Sequence, residues 1–321
     1  MDKIIGIGNA LVDLILQLEN DDLIKKFNLP KGGMELIDNS LREKILKETS
    51  KLSKQLSSGG SAANTIHGLA NLGMETGFVG SIGKDEMGEF FINDLTDKGI
   101  DPGLFIRDTE TGTAITLVSK DSERTFATYL GAAIELSEED IETKIFKEYT
   151  YCHIEGYLVM DHSLIKKIAE TAKKCGLIVS LDLASYNVVE ANLDFLQTLV
   201  SDYVDIVFAN EEEAKAFTGM EPEKALKKIS EVCEIAVVKT GKNGSIISKG
   251  ENIYSVKALS VNCIDTTGAG DLYAAGFLYG HANSYDLDEC GKIGTILAGN
   301  VIQNIGAKMD SDQWLKIKSE I

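Results

Sequence analysis

From about residue 149 onward, short apolar runs alternate regularly with amphipathic stretches. Runs at 151–154, 177–183, 204–209 and 236–239 have strand length. Amphipathic stretches at 163–175, from about 189, at 211–217 and at 223–232 separate them. In the first of these, Leu164, Ile165, Ile168, Ala169 and Ala172 fall on one helical face, and Gly176 stops the helix. Strands alternating with helices predict an α/β domain with a parallel sheet covered on both faces.

The N-terminal half follows the same pattern more loosely. Residues 4–7 read as a buried strand, and 14–18 and 34–37 as short strands. The latter two flank a polar connection ending Leu29-Pro30-Lys31-Gly32-Gly33. A charged amphipathic helix is expected over 41–55, and an Ala-rich one over 62–72, stopped by Gly73. Residues 114–118 and 124–130 form a hairpin about a polar turn at 120–123. Its Ile115, Leu117, Phe126 and Tyr129 either pack together or cover a ligand. A second hairpin pairs 245–249 with 253–257, and helices follow over 272–278 and 287–305.

Composition narrows the class. The chain has 321 residues, 44% of them hydrophobic, enough for a large core. No apolar run reaches the roughly 18 residues of a membrane span, and the first residues do not read as a signal peptide. The 5 cysteines are scattered and without CxxC spacing, so reduced thiols in a cytoplasmic protein are expected. The 4 histidines are scattered too, which offers no zinc site. Net charge is −18 (32 Lys and Arg against 50 Asp and Glu). Nucleic acid and anionic membranes are therefore poor partners, and a phosphate would have to be held locally by backbone N–H groups and a metal ion.

The chemistry concentrates in loops that feed helices. Asp265-Thr266-Thr267-Gly268-Ala269-Gly270-Asp271 lies between an extended run and the helix expected from 272. Small residues at 268–270 let backbone N–H groups approach an anion at a helix start. A carboxylate there repels a bound phosphate, so Asp271 makes sense as a base while the amides of Gly268, Ala269 and Gly270 stabilise transferring phosphoryl oxygens. The plain structural alternative is a Gly-rich turn with an Asp cap. Ser58-Gly59-Gly60-Ser61-Ala62-Ala63-Asn64-Thr65 is a second permissive loop entering a helix, able to hold an anion or sugar hydroxyls. Asn9 and Asp13 follow the first strand, where open α/β sheets bind ligands. Gly6-Ile7-Gly8 precedes them, but Leu11 stands where a dinucleotide fingerprint needs its third glycine. The glycines of 79–88 read as turn and cap residues.

Both long motifs, with the segments between them, resemble the ribokinase or PfkB-type carbohydrate and nucleoside kinases over nearly the whole chain. The resemblance implies a ribokinase-like three-layer α/β/α domain over 1–321, with a mostly parallel central sheet and a small β-strand lid from about 13–38 and 110–131. It implies ATP and Mg2+ as cofactors. It places Asn9, Asp13, Gly59, Gly60 and Asn64 on the acceptor substrate. Asn210-Glu211-Glu212-Glu213 matches the family's Asn-x-x-Glu motif, which supports Mg2+ and the ATP phosphates, with Glu213 acting on the metal indirectly. Lys239-Thr240-Gly241-Lys242-Asn243-Gly244 resembles the nucleotide loop and is not a Walker A motif. Asp265, Thr267, Asn304 and Gly306 are the positions where family members cradle a monovalent cation such as K+. The family includes monomers and lid-mediated homodimers.

Gly8 to Asp13, Leu29 to Asp38, Tyr129 to Ala133 and Glu155-Gly156-Tyr157-Leu158 look most like the adenosine-kinase-like branch. A purine nucleoside phosphorylated on its 5′-hydroxyl is therefore the favoured acceptor. A ribose, fructose or deoxy-ketosugar kinase is the alternative. A non-catalytic sugar or nucleotide sensor is disfavoured by the intact Asp271, and a dinucleotide-dependent dehydrogenase by Leu11.

Overall fold

In the computed structural model, which describes residues 2–121 and 123–321, the apolar runs of the C-terminal half become the parallel strands expected of them. Fourteen strands occur among the described residues: β1 (Lys3–Ile7), β2 (Leu11–Gln17), β3 (Met34–Leu36), β4 (Lys54–Gly59), β5 (Glu75–Gly83), β6 (Ile100–Arg107), β7 (Gly112–Val118), β8 (Arg124–Tyr129), β9 (Tyr151–Glu155), β10 (Ile178–Asp182), β11 (Ile206–Asn210), β12 (Ile235–Lys239), β13 (Ser245–Lys249) and β14 (Asn252–Val256). Nine of them form one sheet in the order β14-β13-β12-β11-β10-β9-β1-β5-β6. It is parallel except for β13 and β14, the expected C-terminal hairpin. Period-two side-chain alternation sends Ile4, Phe78, Ile206 and Phe208 into a core on one face, and Ile5, Ile7, Val207 and Ala209 into a core on the other. The chain leaves β1 toward β5 and β6 and later returns on its other side through β9, so strand order reverses there.

The other five strands form a second sheet, β3-β8-β7-β2-β4, with its own small core of Leu16, Leu18, Ile24, Leu29, Ile45, Ile115, Leu117 and Ala127. Ile115 and Leu117 are thus core residues of this sheet, while Tyr129 carries the Arg42 guanidinium over its ring. Ser122, part of the expected 120–123 turn, lies outside the described residues.

The expected strands at 14–18 and 34–37 both join the second sheet, with β7 and β8 between them. Two expectations need correction. The helix expected over 41–55 spans Asn39–Glu48 instead, and 54–59 is strand β4, antiparallel to β2. Asp38 starts that helix by accepting from Leu41 N, and Thr49 ends it. β4 was hidden because only Ser58 and Gly59 of it are buried, so its side chains carry no strand-like alternation. The helix expected over 287–305 ends at Val301, because the Ile302 carbonyl accepts from Ile264 and Asp265 N–H, at 2.7 and 3.1 Å. Strand β6, with Pro102 and Gly103 at a sheet edge, and the helices Glu86–Asp97 and Ser311–Glu320 carried no expectation. Among the described residues no helix is long and apolar enough to cross a membrane.

The helices Ala269–Ala282 and Leu287–Val301 cross in near-backbone contact. A Cβ on Gly276 would sit 2.7 Å from Gly294 N and from Ile293 O. Gly276→Ala must therefore push the two helices apart. An overpacking cost of about 1–3 kcal/mol is expected, read as a lower midpoint in thermal or urea denaturation.

Candidate active site

Five adjacent parallel strands end at one rim of the main sheet, and each ends in or leads to a polar residue. Asn9 follows β1, Glu155 closes β9, Asp182 closes β10, Asn210 closes β11 and Lys239 closes β12. Register aligns Glu155 with Asp182, and Asn210 with Lys239. The rim lies where strand order reverses, which is where open α/β sheets hold ligands. The helices Ser61–Asn71 and Ala269–Ala282 point their N-termini at the same place. Together these elements line a cavity of about 1690 Å³.

The two long motifs meet here directly. Ser61 Oγ donates to Asp271 Oδ1 at 2.7 Å, Asn64 Nδ2 to Oδ2 at 3.0 Å, and Thr65 Oγ1 to the Asp271 carbonyl at 3.1 Å. Burial pushes the Asp271 carboxyl up to about 6, and the Ser61 and Asn64 donors hold it from rising further. That value suits a base that is ionised near neutrality yet able to take a proton. The N–H groups of Gly268 and Gly270 have no acceptor among the described residues, whereas Ala269 N–H donates to Thr266 O at 3.1 Å. Two of the three expected anion-hole donors are therefore free. Ala269 is engaged because Gly268, at φ 76°, makes the turn that folds its amide back.

At the β1 and β9 end, Asn9 is turned toward Glu155: Nδ2 donates to Oε1 at 2.6 Å, and Ala62 N donates to Oε2 at 3.1 Å. Gly60, at φ 100°, packs against the Asn9 carbonyl, where any side chain would overlap it. Gly59 backs the Asp13 carboxylate and does not itself line the cavity, while Asn9, Asp13, Gly60 and Asn64 do. Burial pushes both Asp13 and Glu155 up to about 7.

On the other side, Asn210 and Glu213 hold each other in a capping box, with Asn210 N and Nδ2 donating to the Glu213 carboxylate at 2.7 and 2.6 Å. Burial, then the neighbouring Asp182, pushes Glu213 up to about 7. Lys239 Nζ donates to Asp182 Oδ2 at 2.7 Å. Gly241, Lys242 and Gly244 line the cavity; Thr240 instead closes the loop through its N–H to Gly244 O at 2.8 Å. Beyond them Leu259, Ala298, Gly299 and Ile302 form an apolar slot.

Three of the four expected cation positions, Asp265, Thr267 and Gly306, come together. Asp265 Oδ1 accepts from Thr267 N and Oγ1 at 3.0 and 2.8 Å, and Oδ2 accepts from Gly306 N at 2.6 Å and pairs with the Arg124 guanidinium. Asp265 is thus surrounded by hydrogen-bond donors. The Asn304 amide turns away to Asn300 O at 3.1 Å. Arg124, on β8, brings the second sheet onto this loop.

Ser61, Thr65, Asp182 and Arg124 were not singled out from the sequence, and Glu155 only as part of a family resemblance. For Asp182 and Glu155 the available signal was a lone carboxylate closing an apolar run.

Comparison places the chain in a family. Residues 33–314 match the pfkB family carbohydrate kinase, and the chain belongs to that family. Its members are ATP-dependent phosphotransferases acting on sugars or nucleosides, and this chain is one of them. The crystal structure of adenosine kinase from Sinorhizobium meliloti superposes with a TM-score of 0.88 at 32% identity, covering 100% of this chain and 99% of that one. A probable sugar kinase from Rhizobium etli gives 0.88 at 34%, covering 99% and 98%. A 5-dehydro-2-deoxygluconokinase from Geobacillus kaustophilus is 28% identical over 286 residues, 81% of this chain and 82% of that protein. The ribokinase-like fold is shown, and the relatives divide between nucleoside and sugar kinases.

The rise of Asp271 to about 6 and of Asp13 and Glu155 to about 7 fixes the sign of the pH response. With Asp271 as the expected base, active when ionised, kcat/KM should climb with pH through an apparent value between about 6 and 7 and then level off, the value belonging to the coupled group. Asp271→Asn should lower kcat by at least ~10²-fold and flatten that limb, with binding of an ATP analogue nearly unchanged.

Proposed function

We propose that the chain transfers the γ-phosphoryl group of ATP to the 5′-hydroxyl of a purine nucleoside. The observation that carries this reading is the wall beside the Asn9, Asp13 and Gly60 cluster. Leu11, Leu36, Leu130, Ile134, Tyr157 and Met160 line that end of the cavity with apolar surface. A free sugar presents hydroxyls on every side and gains little from such a wall. A nucleoside presents hydroxyls to the polar cluster and an apolar base face to the wall.

In this reading ATP lies along the turn 241–244, with its base in the slot formed by Leu259, Ala298, Gly299 and Ile302. Its γ-phosphate meets the free amides of Gly268 and Gly270 at the helix N-terminus. Asp13 accepts hydroxyl hydrogen bonds from the ribose, and Asn9, oriented by Glu155, with Gly60 shapes the same end. Asp271 takes the proton of the attacking 5′-hydroxyl as the new O–P bond forms and the β–γ bridging P–O bond breaks, leaving ADP. The charge crowding of Asp182, Glu213 and Asp271 along one rim fits a divalent cation arriving with the nucleotide. Among the described residues no group of three or more His, Cys, Asp or Glu side chains forms a cage. Glu213 would therefore hold Mg2+ through water and phosphate oxygens. The ion would supply there the positive charge that offsets the phosphate oxygens. Arg124 supplies at Asp265 the positive charge that K+ was expected to bring. The second sheet, anchored through Arg124, acts as the lid that excludes water.

A sugar acceptor is the second reading, favoured by the deoxygluconokinase and the probable sugar kinase among the relatives. A coupled ADP-release assay with ATP and Mg2+ separates the two, using adenosine, inosine, guanosine, cytidine, ribose, fructose and a deoxy-ketosugar acid. Turnover confined to purine nucleosides is expected; turnover confined to free sugars sinks the nucleoside reading and leaves the phosphotransferase. Asp13→Ala should raise KM for the acceptor more than for ATP. Ile134 is 67% exposed, so Ile134→Asp should fold normally. It should weaken a nucleoside by about 10-fold or more and leave any ribose turnover unchanged.

A further inference from the structure

Two cationic residues line the cavity, Lys242 on the exposed turn and Lys239 at its floor. The Lys239 side chain is 15% exposed and that of its partner Asp182 9%. A backbone hydrogen bond sets the direction of the pair: Asp182 Oδ1 accepts from Ala184 N at 3.0 Å, leaving Oδ2 for the ammonium. Ala184 holds a left-handed φ of 68°, a strained conformation for a residue with a side chain, and it too lines the cavity. At its other end the ammonium lies beside the anion loop. A Cβ on Gly270 would meet Lys239 Nζ at 3.0 Å, before any other atom.

A buried ion pair is a weak stabilising device, since apolar residues of equal volume do as well or better. This one sits next to a free Gly270 amide and the base Asp271, where negative charge spreads over the phosphoryl oxygens during transfer. We propose that Lys239 is a catalytic residue that stabilises the transferring phosphoryl group, and that Asp182 is its positioning residue. Asp182 holds the ammonium against Gly270. With nucleotide bound, the same ammonium shares its hydrogens between Asp182 and the phosphoryl oxygens. No covalent bond to Lys239 forms or breaks, and it keeps its protons. The inference rests on the phosphotransferase reading and is independent of which acceptor is used.

The experiment compares the full-length chain with Lys239→Met, Lys239→Arg, Asp182→Asn and the double variant Lys239→Met/Asp182→Asn. ADP release is followed with the acceptor that the unmodified chain turns over, and binding of a fluorescent non-hydrolysable ATP analogue is measured in parallel. Lys239→Met should lower kcat by ~10²–10³-fold, the range for one lost charge-stabilising donor, with analogue affinity changed far less. Lys239→Arg should recover part of that loss. Asp182→Asn should lower kcat about 10-fold or more through misplacement of the ammonium. The double variant should be no slower than Lys239→Met alone, because the two residues act as one unit. It also removes both charges, so it reports on the site even if Lys239→Met, which strands a buried carboxylate, melts early. Unchanged kcat with a raised KM for ATP would make Lys239 an affinity residue and overturn the proposal. Multiplicative losses in the double variant would remove Asp182 from it. An unmodified chain that releases no ADP with any acceptor overturns the phosphotransferase reading and this inference together. Normal turnover matched by Lys239→Met overturns this inference alone.

Discussion

The grip on Asp271 is the constraint around which the rest of the cleft is arranged. A carboxylate beside a phosphate site is repelled by its ligand and penalised by burial. Here it is held by Ser61 and Asn64, 210 and 207 residues away in sequence. Both donors lie in the first turn of a helix whose N-terminus faces a second helix N-terminus, the one that carries Asp271. Two partial positive charges therefore converge on one point. Burial pulls the carboxyl toward the neutral form, and the Ser61 and Asn64 hydrogen bonds pull it back. The balance near 6 depends on both helices keeping their mutual position. Their register is fixed by close backbone approach: a Cβ on Gly68 would sit 2.7 Å from the Ala275 side chain.

Topology supplies the rest. Because β1 lies inside the sheet and its neighbours β5 and β9 are reached by opposite routes, the rim at β1 and β9 is open. Glu155 reaches across it to Asn9. Successive strands then add Asp182, aligned with Glu155, and Asn210, aligned with Lys239, so one edge of the sheet carries polar side chains from Asn9 to the turn at 241–244. The second sheet is built from segments inserted between these strands, and it meets the anion loop through Arg124 and Asp265.

The sequence made the C-terminal half of this architecture readable because its strands are short, apolar and separated by helices with clear stripes. It hid β4 and β6. Both are edge strands whose exposed side chains follow no alternation and whose existence depends on backbone pairing to a partner far away in sequence. The same distinction holds for the site. Asp271, Asn64 and the glycines between 58 and 60 or 268 and 270 were visible because a permissive loop before a helix is a local pattern. Asp182 and Arg124 were not, because a single polar residue acquires its role only when the fold sets its neighbour. The cation ligands show the limit from the other side. Asp265, Thr267 and Gly306 do come together, yet a guanidinium from another sheet and a donated amide surround the carboxylate.

A chain of net charge −18 that must bind a polyanion cannot rely on its overall field. The structure answers with fixed local charges at both ends of one short loop. Arg124 pairs with Asp265 where the loop begins, and Lys239 lies against Gly270 where it ends. Each cation is paired with a buried carboxylate, so neither is free to fold back onto the acidic surface. Between them the unpartnered amides of Gly268 and Gly270 are the donors left to meet an incoming anion. An acidic surface screens out adventitious anions by repulsion. A cleft whose buried lysine is already partnered favours a ligand that brings its own counter-ion and several phosphate oxygens at once. The excess of carboxylates along the rim then becomes complementary to the ligand, because the metal-bound nucleotide carries the cation they lack.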